Sequence, residues 1–504
     1  MKLLRLSNLV FVLFALSLGA GAAAAAPEFE IVQPEMFQGS RAVAAAWADF
    51  DNDGWLDLAV AFESGEVRLF RNNKGVFESV GPALGLPVSG DSARAVAWGD
   101  YDGDGYTDLY VGSLVEPIPS RSYLYHNEHG THFVEVAKQL GVDDPGSSTR
   151  QANWIDFNND GRIDLFVANR IETNHLFRND NGHFKDVTDE VGLTDRRRTV
   201  GACWFDMNQD GHLALFIANQ EGDTDGVYKN NGGHFVDIAP ELHMDRPGRR
   251  MADGSTGCAV GDYDNDGRLD IFVTAYGQSA LYHNDGGGHF SEVARAMGVA
   301  IEGGHMVSAE WADYDNDGRL DLFVAGYTFD ENGKITPKDY LFHNEGGFFV
   351  NVLTPDNPMT QVLTKADHGV QWADYDRDGA LDLVLTSDRD GGGVTLLHSL
   401  ISAEARHRSL EVSVLDQAGH QTRPGSEVRL YDPNGKLLGT RLVATGDGYC
   451  AQSMQPVHFG LPKLMKVTVE VTYLTPTGRR TQRIENVDPS KFLGKTLVVR
   501  DGGN

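Results

Sequence analysis

The stretch Asp49-Phe50-Asp51-Asn52-Asp53-Gly54-Trp55-Leu56-Asp57 decides the fold, because the chain repeats it. The pattern D-x-D-x-D-G-x-x-D returns, with few departures, from Asp100, Asp156, Asp206, Asp262, Asp313 and Asp374, at intervals of 50 to 61 residues. A period of that length makes a repeat architecture the first reading. Each copy sits in one frame. A run of small residues precedes it, with Trp47, Trp98, Trp154, Trp204, Trp311 and Trp372 two positions ahead of the first Asp and Val260 in the fifth copy. An alternating strand follows, such as Leu320-Asp321-Leu322-Phe323-Val324. A third strand ends in Asn, as in Leu69-Phe70-Arg71-Asn72 and Leu124-Tyr125-His126-Asn127. A Gly turn then leads to a short fourth strand, as in Phe133-Val134-Glu135-Val136. Four strands per repeat is the content of a propeller blade, so the expectation is an all-β, seven-bladed β-propeller.

The seventh repeat lacks its last strand after Leu396-Leu397-His398-Ser399. Phe29-Glu30-Ile31-Val32, which stands ahead of the first repeat, is the missing piece, and a ring closed this way leaves only short, protected edges.

Asp at positions 1, 3, 5 and 9, with Gly at 6, arranges hard oxygen donors around one point, and position 7 can add a carbonyl. That donor set suits Ca²⁺, which takes six to eight oxygens; Mg²⁺ stands second, and Zn²⁺ would want His or Cys ligands in the loop. The expected ligands are Asp49, Asp51, Asp53 and Asp57; Asp100, Asp102, Asp104 and Asp108; Asp156, Asn158, Asp160 and Asp164; Asp262, Asp264, Asp266 and Asp270; Asp313, Asp315, Asp317 and Asp321; and Asp374, Asp376, Asp378 and Asp382. The fourth loop keeps Asp206 and Asp210 but has Asn208 at position 3 and Ala214 at position 9. About six structural Ca²⁺ sites are therefore expected, with the Asp206 loop the weakest or empty.

A second constellation lies at the start of each innermost strand. At even offsets before the first loop Asp stand Arg41, Arg94, Arg150, Arg198, His305 and His368, with Thr256 in the fifth copy. Even offsets share one strand face. These side chains are expected near the channel mouth away from the loops, as a ring that either receives a carboxylate, sulfate or uronate or pairs with neighbouring acids such as Asp91 or Asp253.

Of the 504 residues, 72 are acidic and 43 are Lys or Arg, a formal net charge of −29. Nucleic acid and anionic membrane surfaces are poor partners for such a chain. Lys2 and Arg5, the apolar run Leu9–Leu18 and the Ala- and Gly-rich stretch to Ala26 read as a cleaved signal peptide over 1–26, which places the protein in the periplasm or outside the cell. No later segment is a transmembrane span. Three cysteines, Cys203, Cys258 and Cys450, are too few for a disulfide scaffold; buried thiols are expected, with a Cys203–Cys258 bridge as the alternative.

The loops in this frame, over about 27–402, resemble the FG-GAP or VCBS repeats of seven-bladed propellers, including integrin-type heads. The resemblance implies that each loop joins the first and second strands of a blade and binds Ca²⁺. Residues 405–502 carry no Asp loop. Their Gly448-Tyr449, Gln452-Ser453, Val457-His458-Phe459-Gly460-Leu461 and Pro476-Thr477-Gly478-Arg479 resemble the ASPIC/UnbV module, which follows such propellers in cartilage acidic protein-like chains. A small β-sandwich-like domain is expected there.

No nucleophile elbow, phosphate loop or zinc-protease motif is present. Two functions stay open. One is a secreted, non-catalytic calcium-binding module for interaction or adhesion with an extracellular glycan or protein. The other is a lyase or hydrolase acting on acidic carbohydrate at the channel mouth, with His305 or His368 as acid/base.

Overall fold

Each repeat folds into four antiparallel strands. In the first they are Ala42–Ala48, Asp57–Phe62, Val67–Asn73 and Val76–Ser79, with Trp47 opposite Leu58, Leu58 opposite Phe70 and Phe70 opposite Ser79. The inner strands of the others are Ala93–Gly99, Thr149–Ile155, Thr199–Phe205, Gly254–Gly261, Glu302–Ala312 and Gly369–Ala373. The structure, a computed structural model, describes residues 27–39, 41–114, 120–146, 148–365, 367–446 and 448–502; the expected signal peptide lies outside them. Units five and six share one sheet, because the long strands Asp270–Gln278 and Glu302–Ala312 pair at Tyr276–His305 and Gln278–Glu302. No helix among the described residues is long and apolar enough to cross a membrane.

The ring closes as the sequence suggests. Phe29–Ile31 pairs antiparallel with Gly393–Ser399, Phe29 opposite Ser399 and Ile31 opposite Leu397, and so becomes the outer strand of the seventh unit. Phe29 packs near Trp372 in the same unit, with ring centroids 6.1 Å apart.

Small residues dominate the inner strands because neighbouring units converge there. A Cβ on Gly99 would stand 2.5 Å from the Trp154 indole of the next unit. The indoles fill the wedge between units: Trp154 lies 6.4 Å from Tyr101 and Trp311 6.2 Å from Tyr263, both stacked. Their N–H groups donate to inner-strand carbonyls of the preceding unit, Trp154 to Ala97 and Trp311 to Ala259. The wedges at Trp98, Trp154 and Trp311 thus bury a large apolar surface while satisfying the one polar atom of the indole.

Beyond the ring, Ser409–Leu415 pairs with Val457–Gly460 and, in parallel, with Thr496–Arg500. A second sheet runs in the order Leu437–Leu442, Glu427–Tyr431, Val467–Thr475, Gly478–Val487. Val412, Leu430, Phe459 and Val469 from both sheets share one core, so this part is a sandwich.

The cysteines require a correction. Cys203 and Cys258 are joined in a disulfide that ties the inner strands of the fourth and fifth units, where buried thiols were expected; Cys450 alone is a buried thiol. Both partners lie on adjacent, converging inner strands, and that proximity is a product of the repeat rather than of local sequence.

Candidate metal centres and the filled channel

The nine-residue loops connect the first and second strands of each unit. Positions 4 and 6 take left-handed backbone: in the first loop Asn52 has φ 57° and Gly54 φ 90°. Asn or Gly suits the former and Gly the latter. The turn lets position 1 gather the loop. Asp49 accepts from the N–H groups of Asp53 (3.0 Å) and Gly54 (2.8 Å), and Asp53 accepts from that of Trp55 (2.9 Å). Asp313 does the same with Asp317 and Gly318.

Position 9 begins the second strand and is buried. One oxygen of Asp321 accepts from the Asn344 N–H at 2.8 Å, and that of Asp57 accepts from Asn72 at 2.7 Å. The Asn closing each third strand is thus a structural partner of the loop. Its side-chain amide reaches back to the preceding loop: Asn127 donates to the Phe50 carbonyl, Asn344 to that of Tyr263, and Asn72 to that of Tyr375, which closes the necklace across the ring junction.

The donor set fits a hard cation. Among the described residues, Asp321 Oδ2 and Asp382 Oδ2 are buried with no hydrogen-bond partner, as is Asp51 Oδ1. Candidate ligand atoms of Asp49, Asp51 and Asp53 lie within 4.8 Å of one another, as do those of Asp315, Asp321 and His343. Burial, the largest cause, pushes Asp57 up to about 8, Asp321 and Asp382 to about 7, and Asp49 and Asp100 to about 6. A cation at the loop centre would hold these carboxylates ionised.

Four histidines escaped the sequence reading as site residues. His126, His283, His343 and His398 place Nδ1 at 3.0, 3.2, 3.1 and 3.1 Å from an oxygen of Asp108, Asp270, Asp321 and Asp382. The aspartate hydrogen bond raises His126 and His283 to about 9. Their signal was present in the recurring His-Asn or His-Ser ending of the third strand, read there only as strand.

The fourth loop differs. Without an acid at position 9, the Asn230 N–H has no carboxylate to meet there, although its side chain still donates to the Phe157 carbonyl of the preceding loop and accepts from Gly233 N–H, and Asn208 donates to Asp210 across the loop at 2.8 Å. Arg479 of the sandwich approaches Asp206 at 3.5 Å and also binds Glu427. The third loop shares the Asn–Asp bond, Asn158 to Asp160 at 3.1 Å, but retains Asp164.

The sandwich sits on the loop face and sends residues 444–446 and 448–456 down the channel. Ala451–Gln452 pairs in parallel with the inner strand at Val96–Ala97, and Met454 N–H donates to the Trp47 carbonyl at 2.7 Å. Thr445 donates to the Trp204 carbonyl at 2.6 Å, and Gln455 to that of Trp372 at 2.9 Å. Gln452 spans the Trp154 backbone, accepting from its N–H at 2.6 Å and donating to its carbonyl at 3.0 Å. Inner strands leave unpaired backbone groups along the channel, and this segment satisfies them. The sequence motifs marked the segment as part of a known module, but nothing local to it specified where it would dock.

The six cationic positions at the opposite mouth are not one open ring. Arg41 is half exposed and pairs with Glu63 and, at 2.9 Å, with Asp390. Arg198 pairs with Glu221 at 2.8 Å and Asp223 at 3.0 Å. Arg94 is buried between Asp388, 3.6 Å away, and the Tyr449 hydroxyl of the channel segment, 3.2 Å away. His368 is buried 3.2 Å from Asp388. His305 stacks on Tyr276 and lies 3.0 Å from the Tyr327 hydroxyl. Arg150 is buried and meets no acid among the described residues.

This fold and these loops define an FG-GAP-type propeller carrying a second module. The FG-GAP-like repeat model matches residues 35–111, 156–217, 206–273 and 262–324, and the ASPIC and UnbV model matches 418–500. Cartilage acidic protein 1 of Xenopus tropicalis is 30% identical over 474 residues, covering 86% of this chain and 70% of that protein; the Mus musculus protein is 24% identical over 478 residues, covering 87% and 71%. The chain belongs to the cartilage acidic protein 1 family. Integrin alpha-3 of Cricetulus griseus is 35% identical over 99 residues, 17% of this chain and 9% of that protein, which relates the propeller to the integrin alpha chains.

Proposed function

We propose that the chain is a secreted, calcium-binding β-propeller that works as a non-catalytic interaction module for an extracellular glycan or protein. The observation that carries the calcium part is the set of buried carboxylate oxygens without protein partners, Asp321 Oδ2 and Asp382 Oδ2. Such atoms are costly unless a cation meets them. The ligands are the six Asp-rich loops; the fourth is excluded by Asn208, Ala214 and the neighbouring Arg479. The channel, filled by residues 444–446 and 448–456, supports a working surface on the outside of the ring. A cartilage protein and an integrin alpha chain among the relatives support an extracellular setting.

The test presents the full chain to arrays of glycans and of purified matrix proteins, in calcium and after chelation. The reading expects saturable binding to one array in calcium, lost on chelation and regained when calcium is restored. No saturable binding to either array in calcium would sink it.

A further inference from the structure

The mouth opposite the sandwich holds an open pocket of about 740 Å³ between the third and fourth units. Five arginines line it, Arg150, Arg170, Arg196, Arg197 and Arg198, against three acids, Asp195, Glu221 and Asp223. The acids are already engaged. Arg197 holds Asp195, and Arg170 and Arg198 share Glu221, with Arg198 also on Asp223. Two guanidiniums remain without a carboxylate among the described residues. Arg196 is exposed at the rim. Arg150 is 5% exposed, with its Nε buried and unpartnered, and beside it the 1% exposed Ser148 has an unpartnered hydroxyl. Burial, the largest cause, and the neighbouring Arg94 both disfavour the charge on Arg150. On a chain of net charge −29, an excess of guanidinium in one concavity is a local inversion of the surface field.

We infer that this pocket is an oxyanion site for an acidic saccharide, with Arg150 and Ser148 gripping a sulfate or carboxylate from below and Arg196 closing on it from the rim. This rests on the reading of the chain as a binding module and names the ligand of one site on it. Planar guanidinium matches both oxyanions through paired N–H donors. The volume falls within the ~300–1,000 Å³ of pockets that enclose whole small ligands. Ile171 is the one apolar side chain in the lining, so the pocket lacks the apolar groove on which peptides commonly anchor.

The experiment uses the calcium-loaded full chain and isothermal titration with three probes: a heparin-derived tetrasaccharide, an oligogalacturonate of equal length, and hexaglutamate. The two saccharides separate sulfate from carboxylate as the preferred oxyanion. Either saccharide should bind, with hexaglutamate at least tenfold weaker. Arg196→Ala, at an exposed position, should weaken the saccharide at least tenfold with an unchanged melting temperature. Arg150→Lys, which keeps a charge but not the fork, should weaken it too. Wild-type affinity in Arg196→Ala, hexaglutamate binding as tightly as the saccharides, or no saccharide binding would overturn the site. If the arrays still register a partner in any of these cases, the module reading survives and only the pocket fails.

Discussion

Loops four and six share one turn, and each receives a guanidinium of the sandwich, Arg479 at 3.5 Å from Asp206 and Arg441 at 4.0 Å from Asp313, but they differ in the acids they carry. In loop six, Asp313, Asp315, Asp317 and Asp321 converge, and one oxygen of Asp321 has no protein partner. In loop four, Ala214 replaces the position-9 acid, Asn208 ties itself to Asp210, and Arg479 comes within 3.5 Å of Asp206. On the proposed reading loop six, with four acids, takes an external cation as well, whereas the guanidinium alone serves loop four. The fourth unit has a further restraint, the Cys203–Cys258 bridge to the fifth. On that reading, the comparison teaches that the number of acids left in a loop decides whether it needs a cation besides the guanidinium of the sandwich.

Chelation should have the largest effect. Extracellular calcium modules have Kd on the order of 10⁻⁴–10⁻³ M. At about 1 mM calcium each independent site then adds roughly 0.4–1.4 kcal/mol, and six add roughly 2–8 kcal/mol. The melting temperature should fall sharply with chelator, and a flat response would contradict the role given to the six loops. The loss should depend on pH. In the metal-free fold Asp57, Asp321 and Asp382 titrate at about 8, 7 and 7, above the 3.8 of a free aspartate. Between these values the native state binds more protons than the unfolded chain, so chelated protein loses stability as pH rises from about 4 to 8. Thermal melts at pH 5.5 and 8 should show the calcium increment growing with pH; a chelated form that gains stability on going to pH 8 would break this link.

Arg479→Met should come next. It leaves the buried Asp206 without its cation, while Glu427 keeps Arg429, and breaking a buried pair costs about 3–5 kcal/mol. Denaturant titration should show that loss with calcium stoichiometry unchanged. A neutral effect would mean that loop four needs no guanidinium.

Cys203→Ala with Cys258→Ala should cost about 2–4 kcal/mol, the usual range for a bridge closing a long loop. The loss should persist in chelated protein, since the bridge and the loops act on separate restraints. Equal stability of oxidised protein and the double variant would remove the bridge from the account.

The smallest effect sharpens the comparison most. Asn208→Asp, Ala214→Asp and Arg479→Ala together rebuild loop four in the image of loop six, and one extra calcium per chain should appear. Isothermal titration gives the count, and an unchanged count would show that the backbone of loop four is itself unsuited to the metal.

The repeat, the strand order and the closing strand at Phe29 were legible because each rests on a pattern repeated along the chain. The loop aspartates were legible for the same reason. What was hidden is non-repeating and long-range. Arg479 and Thr445–Gln455 find their partners across the domain boundary, and no period in the sequence encodes that docking. The bridge between Cys203 and Cys258 depends on how two units converge. At the basic positions, even spacing put Arg94 and Arg150 on one strand face, but only the fold reveals that Asp388 and Tyr449 occupy Arg94 while no acid among the described residues pairs with Arg150.

The central claim, calcium at six loops and a guanidinium at the fourth, is tested most directly by counting metal in the purified full chain. Elemental analysis after equilibrium dialysis against calcium saturating for such sites gives the number per chain. The account predicts six. Seven would contradict the assignment of Arg479 in loop four, and two or fewer would contradict the reading of the Asp-rich loops as calcium sites.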